Sequence, residues 1–206
     1  SDLITDFMKL PTEPGVGLAD PRLGSIAIVP LTGAHFPALF AATPPDTFKY
    51  FLTWPKEWTL AGFSEFVHSR LLSKPNVRSF VAIDAATGQP VGSSSFMDID
   101  PANRSLEIGA TWYVASARGT VVNPSCKWLM LRHAFEVCKC VRVTIKCDDR
   151  NEHSKRAIAK LGAHFEGVLR QHRVLQDGKI RDTAYFSVIA GEWPSVSQRL
   201  LERIGG

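Results

Sequence analysis

The sequence predicts a mixed α+β domain: a twisted, mostly antiparallel sheet of about seven strands with one parallel pair, flanked by about four to five helices. Three observations predict it. Residues 78–114 read as consecutive strands joined by short turns. Residues 105–147 read as strand, helix, strand, a unit whose crossover leaves its two strands parallel. Residues 165–189 read as two strands around Gln176-Asp177-Gly178-Lys179, a hairpin signal.

Residues 1–24 carry Pro11, Pro14 and Pro21 with Gly15, Gly17 and Gly24, and read as an extended, loosely packed arm before a single domain over 25–206. Ser25 to Leu31 alternates and is β-branched, as a first strand would be. Gly33 to Ala42 reads as a short helix halted by Pro44-Pro45. An aromatic segment, Phe48 to Trp58, follows. Phe63, Phe66, Val67 and Leu71 recur at helical spacing and predict a helix over 63–73. Strands are predicted at 78–84 and 90–97 around the loop Ala85 to Gln89, and the turn Asp98 to Asn103 leads into a strand over 105–114. There Leu106, Ile108, Ala110, Trp112 and Val114 should face one way, and Glu107, Gly109, Thr111 and Tyr113 the other. A loop, 115–123, should open a helix at Pro124 with Asn123 as its cap, running to about Cys138. A strand over 141–147, a helix from Asn151 to Gly162, the hairpin and a last helix over 193–204 complete the order.

The 206 residues carry a net charge of +4 and a 45% hydrophobic fraction, so a real core is expected. The mild positive balance suits an anionic ligand. The basic residues form no dense run, which argues against a nucleic-acid partner. No apolar run approaches the ~20 residues that span a bilayer, and no signal-peptide pattern opens the chain, so a cytoplasmic protein is expected. Cys126, Cys138, Cys140 and Cys147 lack zinc-site spacing and are expected to be buried and reduced; no metal is expected.

The most specific stretch is Asn151-Glu152-His153-Ser154-Lys155-Arg156-Ala157-Ile158-Ala159-Lys160-Leu161-Gly162-Ala163. Asn151 suits an N-cap, Ala157, Ile158 and Leu161 form an apolar stripe, and Gly162 sits where a left-handed residue ends a helix. Asn151 and Ser154 share the first turn, where unpaired N–H groups and the positive dipole end are presented. This pattern resembles the last motif helix of the GNAT N-acetyltransferases, in particular the branch of the ribosomal-protein acetyltransferases RimJ and RimL. Leu106-Glu107-Ile108-Gly109 and Arg181-Asp182-Thr183-Ala184-Tyr185 carry the same resemblance, as does the element order.

The resemblance implies the GNAT fold, acetyl-CoA as co-substrate, and transfer of its acetyl group to a primary amine on a small molecule or a protein N-terminus. It implies that Arg118, Gly119, Thr120, Val121, Val122 and Asn123 form the pyrophosphate loop, with Lys127 adding a cation. Val121 stands where the family has a glycine; either that position needs no left-handed backbone, or the loop is reshaped. Trp112, Tyr113 and Val114 would pair with the pantetheine arm through their backbone. Asn151 would bind that arm or simply cap its helix, and Arg156 would join the cofactor contacts. Ser154 would protonate the departing thiolate or only complete the first turn. Glu107 would act as general base, or stand as a solvated strand carboxylate. Tyr50, Trp54, Glu107 and Tyr113 would face the amine; Phe51 and Trp58 belong to the same aromatic group, whose alternative is core packing. A homodimer is compatible with this reading. The alternatives are a catalytically weak GNAT-fold ligand-binding protein and an RNA- or ribosome-binding protein.

Overall fold

A computed structural model of the chain describes residues 2–205; Ser1 and Gly206, the outer ends of the predicted arm and domain, lie outside the described residues. The helices are α1 (Leu3–Met8), α2 (Phe36–Ala42), α3 (Leu60–Val67), α4 (Val122–Arg132), α5 (Glu152–Lys160) and α6 (Trp193–Gly205). The strands are β1 (Ile26–Pro30), β2 (Arg78–Asp84), β3 (Pro90–Asp100), β4 (Ser105–Tyr113), β5 (Arg142–Asp148), β6 (His164–Val174) and β7 (Ile180–Ile189). They form one seven-stranded sheet in the order β1-β2-β3-β4-β5-β7-β6. Among the described residues only β4 and β5 run parallel, the pair predicted to need the crossover.

Two apolar layers cover the sheet. One joins α1, α4, α5 and α6 to Leu106, Ile108, Val143 and Ile145. The other packs Phe36, Leu39, Phe48, Phe63 and Phe66 against Val81, Met97 and Trp112. Within the predicted extended, loose arm, residues Leu3–Met8 form α1 instead, while residues 9–20 carry no helix or strand. Asp2 caps α1, Met8 is 1% exposed, and the Met8 carbonyl bonds His133 Nε2 at 2.6 Å. The buried Met8 side chain ties α1 to the domain ahead of the proline-bearing stretch.

Two helix starts also move. Thr59 Oγ1 accepts from the Gly62 N–H, so α3 begins at Leu60 and ends in a wide turn, His68–Leu72. Val122, not Pro124, opens α4, and Asn123 lies inside the first turn rather than at the cap. Pro124 is tolerated there because first-turn N–H groups have no intrahelical acceptor.

The alternation predicted for 105–114 fails at one residue. Ser93 lies opposite Trp112 and Ser95 opposite Gly109, so Ser94 faces two residues, Ala110 and Thr111. Ala110 takes a positive φ of 48° to fit this bulge. Leu106, Ile108 and Val114 therefore stay in the α4 layer, while Ala110 and Trp112 turn to the α3 layer. Tyr113 goes to the α4 layer, opposite the face it was predicted to share with Glu107.

Candidate active site

The bulge also shapes the site. β4 and β5 pair only through Ser105, Leu106 and Glu107, yet both strands continue beyond that point. They diverge after Glu107 and leave a cleft of about 990 Å³ between them. One end is lined by Arg118, Gly119, Thr120 and Asn123 of the loop and by α5. The other is lined by Tyr50, Phe51, Arg70, Asp98, Lys146, His172 and Arg173.

At the first end the loop leaves donors open. Among the described residues, the backbone N–H groups of Gly119, Thr120 and Val121 find no protein acceptor. Val121 has helical angles, φ −72° and ψ −7°; the left-handed residue is Gly119, at φ 72°. The valine is thus compatible with a loop of this shape, and the reshaping that it raised as an alternative is not needed. Thr120 Oγ1 bonds the Ala117 carbonyl at 2.6 Å and accepts from the Val122 N–H at 3.2 Å. Arg118 donates to the Tyr113 carbonyl at 3.1 Å and to Thr47 Oγ1 at 2.8 Å, bracing the loop across the cleft mouth. On α5, Asn151 Oδ1 caps the Ser154 N–H at 3.1 Å, and Gly162 takes the expected left-handed turn at φ 91°. The Ser154 hydroxyl meets the Cys147 thiol on β5, whose pKa burial pushes up. Arg156 lines the same end.

At the centre stands Glu107, 6% exposed. A Cβ on Gly109 would lie 2.6 Å from Glu107 Oε1, so glycine at that position leaves room for the carboxyl. Lys146 Nζ approaches Glu107 at 2.6 Å and Asp98 at 3.3 Å. Burial raises the Glu107 pKa, Lys146 opposes, and the hydrogen bond to Asp98 adds to the rise; the result is about 7. Burial disfavours the Lys146 charge, but the Glu107 carboxylate holds its pKa above the usual value.

Several predicted positions fall elsewhere. Val114 donates its N–H to the Val91 carbonyl at 3.0 Å, so that group is taken by β3. Val114, Val121, Val122 and Trp54 are absent from the cleft lining; Val122 is buried and Trp54 packs on the α3 layer. Lys127 is 4% exposed and faces the sheet, donating to Thr111 Oγ1 at 2.6 Å and Ser94 Oγ at 3.1 Å. Burial lowers its pKa to about 8. It touches the cleft from below rather than standing at the helix mouth. Tyr113 lines the cleft from the α4 side, and burial pushes its hydroxyl pKa well up. Trp112 lines it from the opposite layer.

The sequence reading missed Asp98, Lys146, Cys147 and Arg70. Lys146 and Cys147 sit on a strand whose alternation is visible, but no local pattern says which face meets Glu107. Asp98 comes into place through a positive φ of 45° that its surroundings, not its neighbours in sequence, impose.

Residues 25–164 match the acetyltransferase (GNAT) domain family. No curated protein matched the sequence. A solved structure assigned as an acetyltransferase is similar at 34% identity, over 96% of this chain and 97% of that one, with a TM-score of 0.86. One from T. thermophilus, likewise assigned, is 35% identical over 87% of this chain and 94% of its own, with a TM-score of 0.82. A GCN5-related N-acetyltransferase from Brucella melitensis is 28% identical, covering 94% and 87%, with a TM-score of 0.83. Fold alone is shared with Mycobacterium smegmatis RimJ in complex with CoA-disulfide, at 22% identity and a TM-score of 0.72. The match to the family over most of the chain, with the cleft between its parallel strands, shows that this protein belongs to the GNAT acetyltransferases.

Proposed function

We propose that this protein is an acetyl-CoA-dependent N-acetyltransferase that moves the acetyl group to a primary amine by direct attack on the thioester. One observation carries the reading: Glu107, inside the cleft, has a pKa of about 7, so it can take a proton near neutral pH. Acetyl-CoA acts as substrate. The open N–H groups at Gly119 to Val121, with the N-terminus of α4, are suited to its phosphate oxygens. Asn151 and Arg156 contribute at the same end.

The amine nitrogen forms a bond to the thioester carbonyl carbon and its proton goes to Glu107. The carbon–sulfur bond then breaks, and the departing thiolate takes a proton from the Ser154 hydroxyl; solvent returns a proton to Ser154 and accepts the one held by Glu107, so both side chains are restored and no net proton is released. Lys146 and Asp98 hold Glu107 between its two protonation states. The aromatic wall of Tyr50 and Phe51 bounds the acceptor end. Residues 25–206 make up the acetyltransferase domain, and 1–24 brace it. The Leu106 to Gly109 and Asn151 to Ala163 patterns support the RimJ/RimL-like branch. Buried free thiols at all four cysteines fit a reducing compartment.

Thiol release from acetyl-CoA, measured over a panel of primary amines, tests the proposal; amine-dependent release supports it. Acetyl-CoA binding by calorimetry with no release for any amine would instead favour a ligand-binding GNAT-fold protein.

A further inference from the structure

The acceptor end of the cleft holds more cationic side chains than its own carboxylates engage. Glu107 and Asp98 are both drawn to Lys146. Arg181 is committed to Thr183 Oγ1 at 3.2 Å and to the Tyr50 carbonyl at 3.3 Å. Arg70 and Arg173 remain. Arg70 projects from the wide turn His68–Leu72 and Arg173 from β6, and both line the cleft. Neither guanidinium makes a hydrogen bond or ion pair with another described residue, and Arg70 Nε is fully buried with no partner. Burial disfavours the Arg70 charge and lowers its pKa, with Glu107 and Asp98 only partly offsetting this from a distance. Arg70 is half-buried and Arg173 exposed, but an enclosed N–H on a charged group left unpaired is costly, and structures keep such a group where a ligand completes it. Wide helical turns of the Arg70 kind recur at functional sites.

We infer that the amine substrate also carries a carboxylate, which Arg70 and Arg173 hold while its amine reaches Glu107. The inference rests on the acetyltransferase reading above and names its acceptor class. Two guanidinium groups offer the paired N–H geometry that a carboxylate accepts. The same two cations disfavour a polyamine, whose second ammonium would enter a region already holding Lys146, Arg70 and Arg173. The substrate is thus of the amino-acid type, an amine and a carboxylate on one small molecule.

The experiment compares kcat/KM for a series of ω-amino acids with the matched ω-amino amides and with spermidine. The carboxylated amines should exceed their neutral amides by about 10- to 100-fold, the range expected for hydrogen bonds to a charged group. Arg70→Met and Arg173→Met should each bring that ratio toward one, chiefly through KM for the amino acid. A variant that only damages folding lowers both substrates together and leaves the ratio intact. Arg173 lies on the outer strand, so its variant keeps the test valid if Arg70→Met folds poorly. Amides or spermidine turned over as well as the amino acids would overturn the inference while leaving the acetyltransferase reading standing. So would a ratio unchanged in both variants. Absence of thiol release with every amine would overturn both.

Discussion

Replacing Glu107 with Gln removes the ionisable group and keeps its size. General bases contribute about 10²–10⁴-fold to rate, so turnover should fall by that order. The pH dependence is the sharper signal. With a pKa of about 7, Glu107 is about half ionised at neutral pH. The ratio of wild-type to variant rate should rise about tenfold per pH unit below 7 and level off above it, because both enzymes share the titration of the amine itself. Stability should move with the same proton. The folded-state pKa is raised from 4.5 to about 7. The contribution of Glu107 to stability is therefore fully present below pH 4.5 and is lost as pH rises through about 7. The full span is about 3–4 kcal/mol at ~1.4 kcal/mol per pKa unit. Glutamine cannot ionise, so the variant lacks this decline and gains on wild type between pH 5 and 8. Acetyl-CoA affinity should barely change, since the open N–H groups lie at the other end of the cleft. Stopped thiol-release assays across pH, with urea unfolding at the same pH values, measure both effects. A rate ratio that is constant across pH would refute the base assignment, and equal unfolding curves would refute the raised pKa.

Gly109→Ala places a Cβ 2.6 Å from Glu107 Oε1, so the carboxyl must shift; kcat should drop while calorimetric acetyl-CoA affinity holds, at a stability cost of about 1–3 kcal/mol. Asn151→Ala removes the side-chain cap of α5 and should cost about 1 kcal/mol, seen as a melting point lower by about 2–4 °C. Lys127→Met removes a buried ammonium whose folded pKa is lowered from 10.5 to about 8. Wild type should gain stability as pH rises from 8 to 10.5, and the variant, lacking that group, should be ahead by up to about 3 kcal/mol below pH 8 and lose the lead by 10.5. Denaturant unfolding at about pH 7 and about pH 10 reads this difference, and parallel curves at both would contradict the buried charge.

Much of the architecture was legible because it rests on local signals. The hairpin around Asp177-Gly178 and the left-handed Gly162 follow from turn chemistry. The meander and the crossover follow from strand length and order. The helix that opens the arm was missed because the prolines and glycines after it dominate the local signal, whereas Met8 is held by contacts with His133 far along the chain. The strand carrying Glu107 was read correctly up to Gly109 and wrongly beyond it. Gly109 is the one local hint, since a glycine inside a strand often marks a bulge, but it does not say that Ala110 takes φ 48° where Ser94 faces two positions.

The same division holds for the candidate site. The Asn151 cap was read from local capping chemistry, whereas Glu107, Ser154 and the 118–123 loop were named through the family resemblance of short motifs. Sequence by itself determined the order of elements from β1 onward and most of the layer-forming residues, and its motifs carried the resemblance to the family. Tertiary structure alone decided that Glu107 meets Lys146 and Asp98, that Lys127 and Tyr113 turn to the sheet, and that Arg70 and Arg173 converge from a helix turn and an edge strand. The reason is physical: capping and periodicity act within a few residues. The opening between two parallel strands, and the burial that moves a carboxyl to about 7, exist only when segments distant in the chain close on one another.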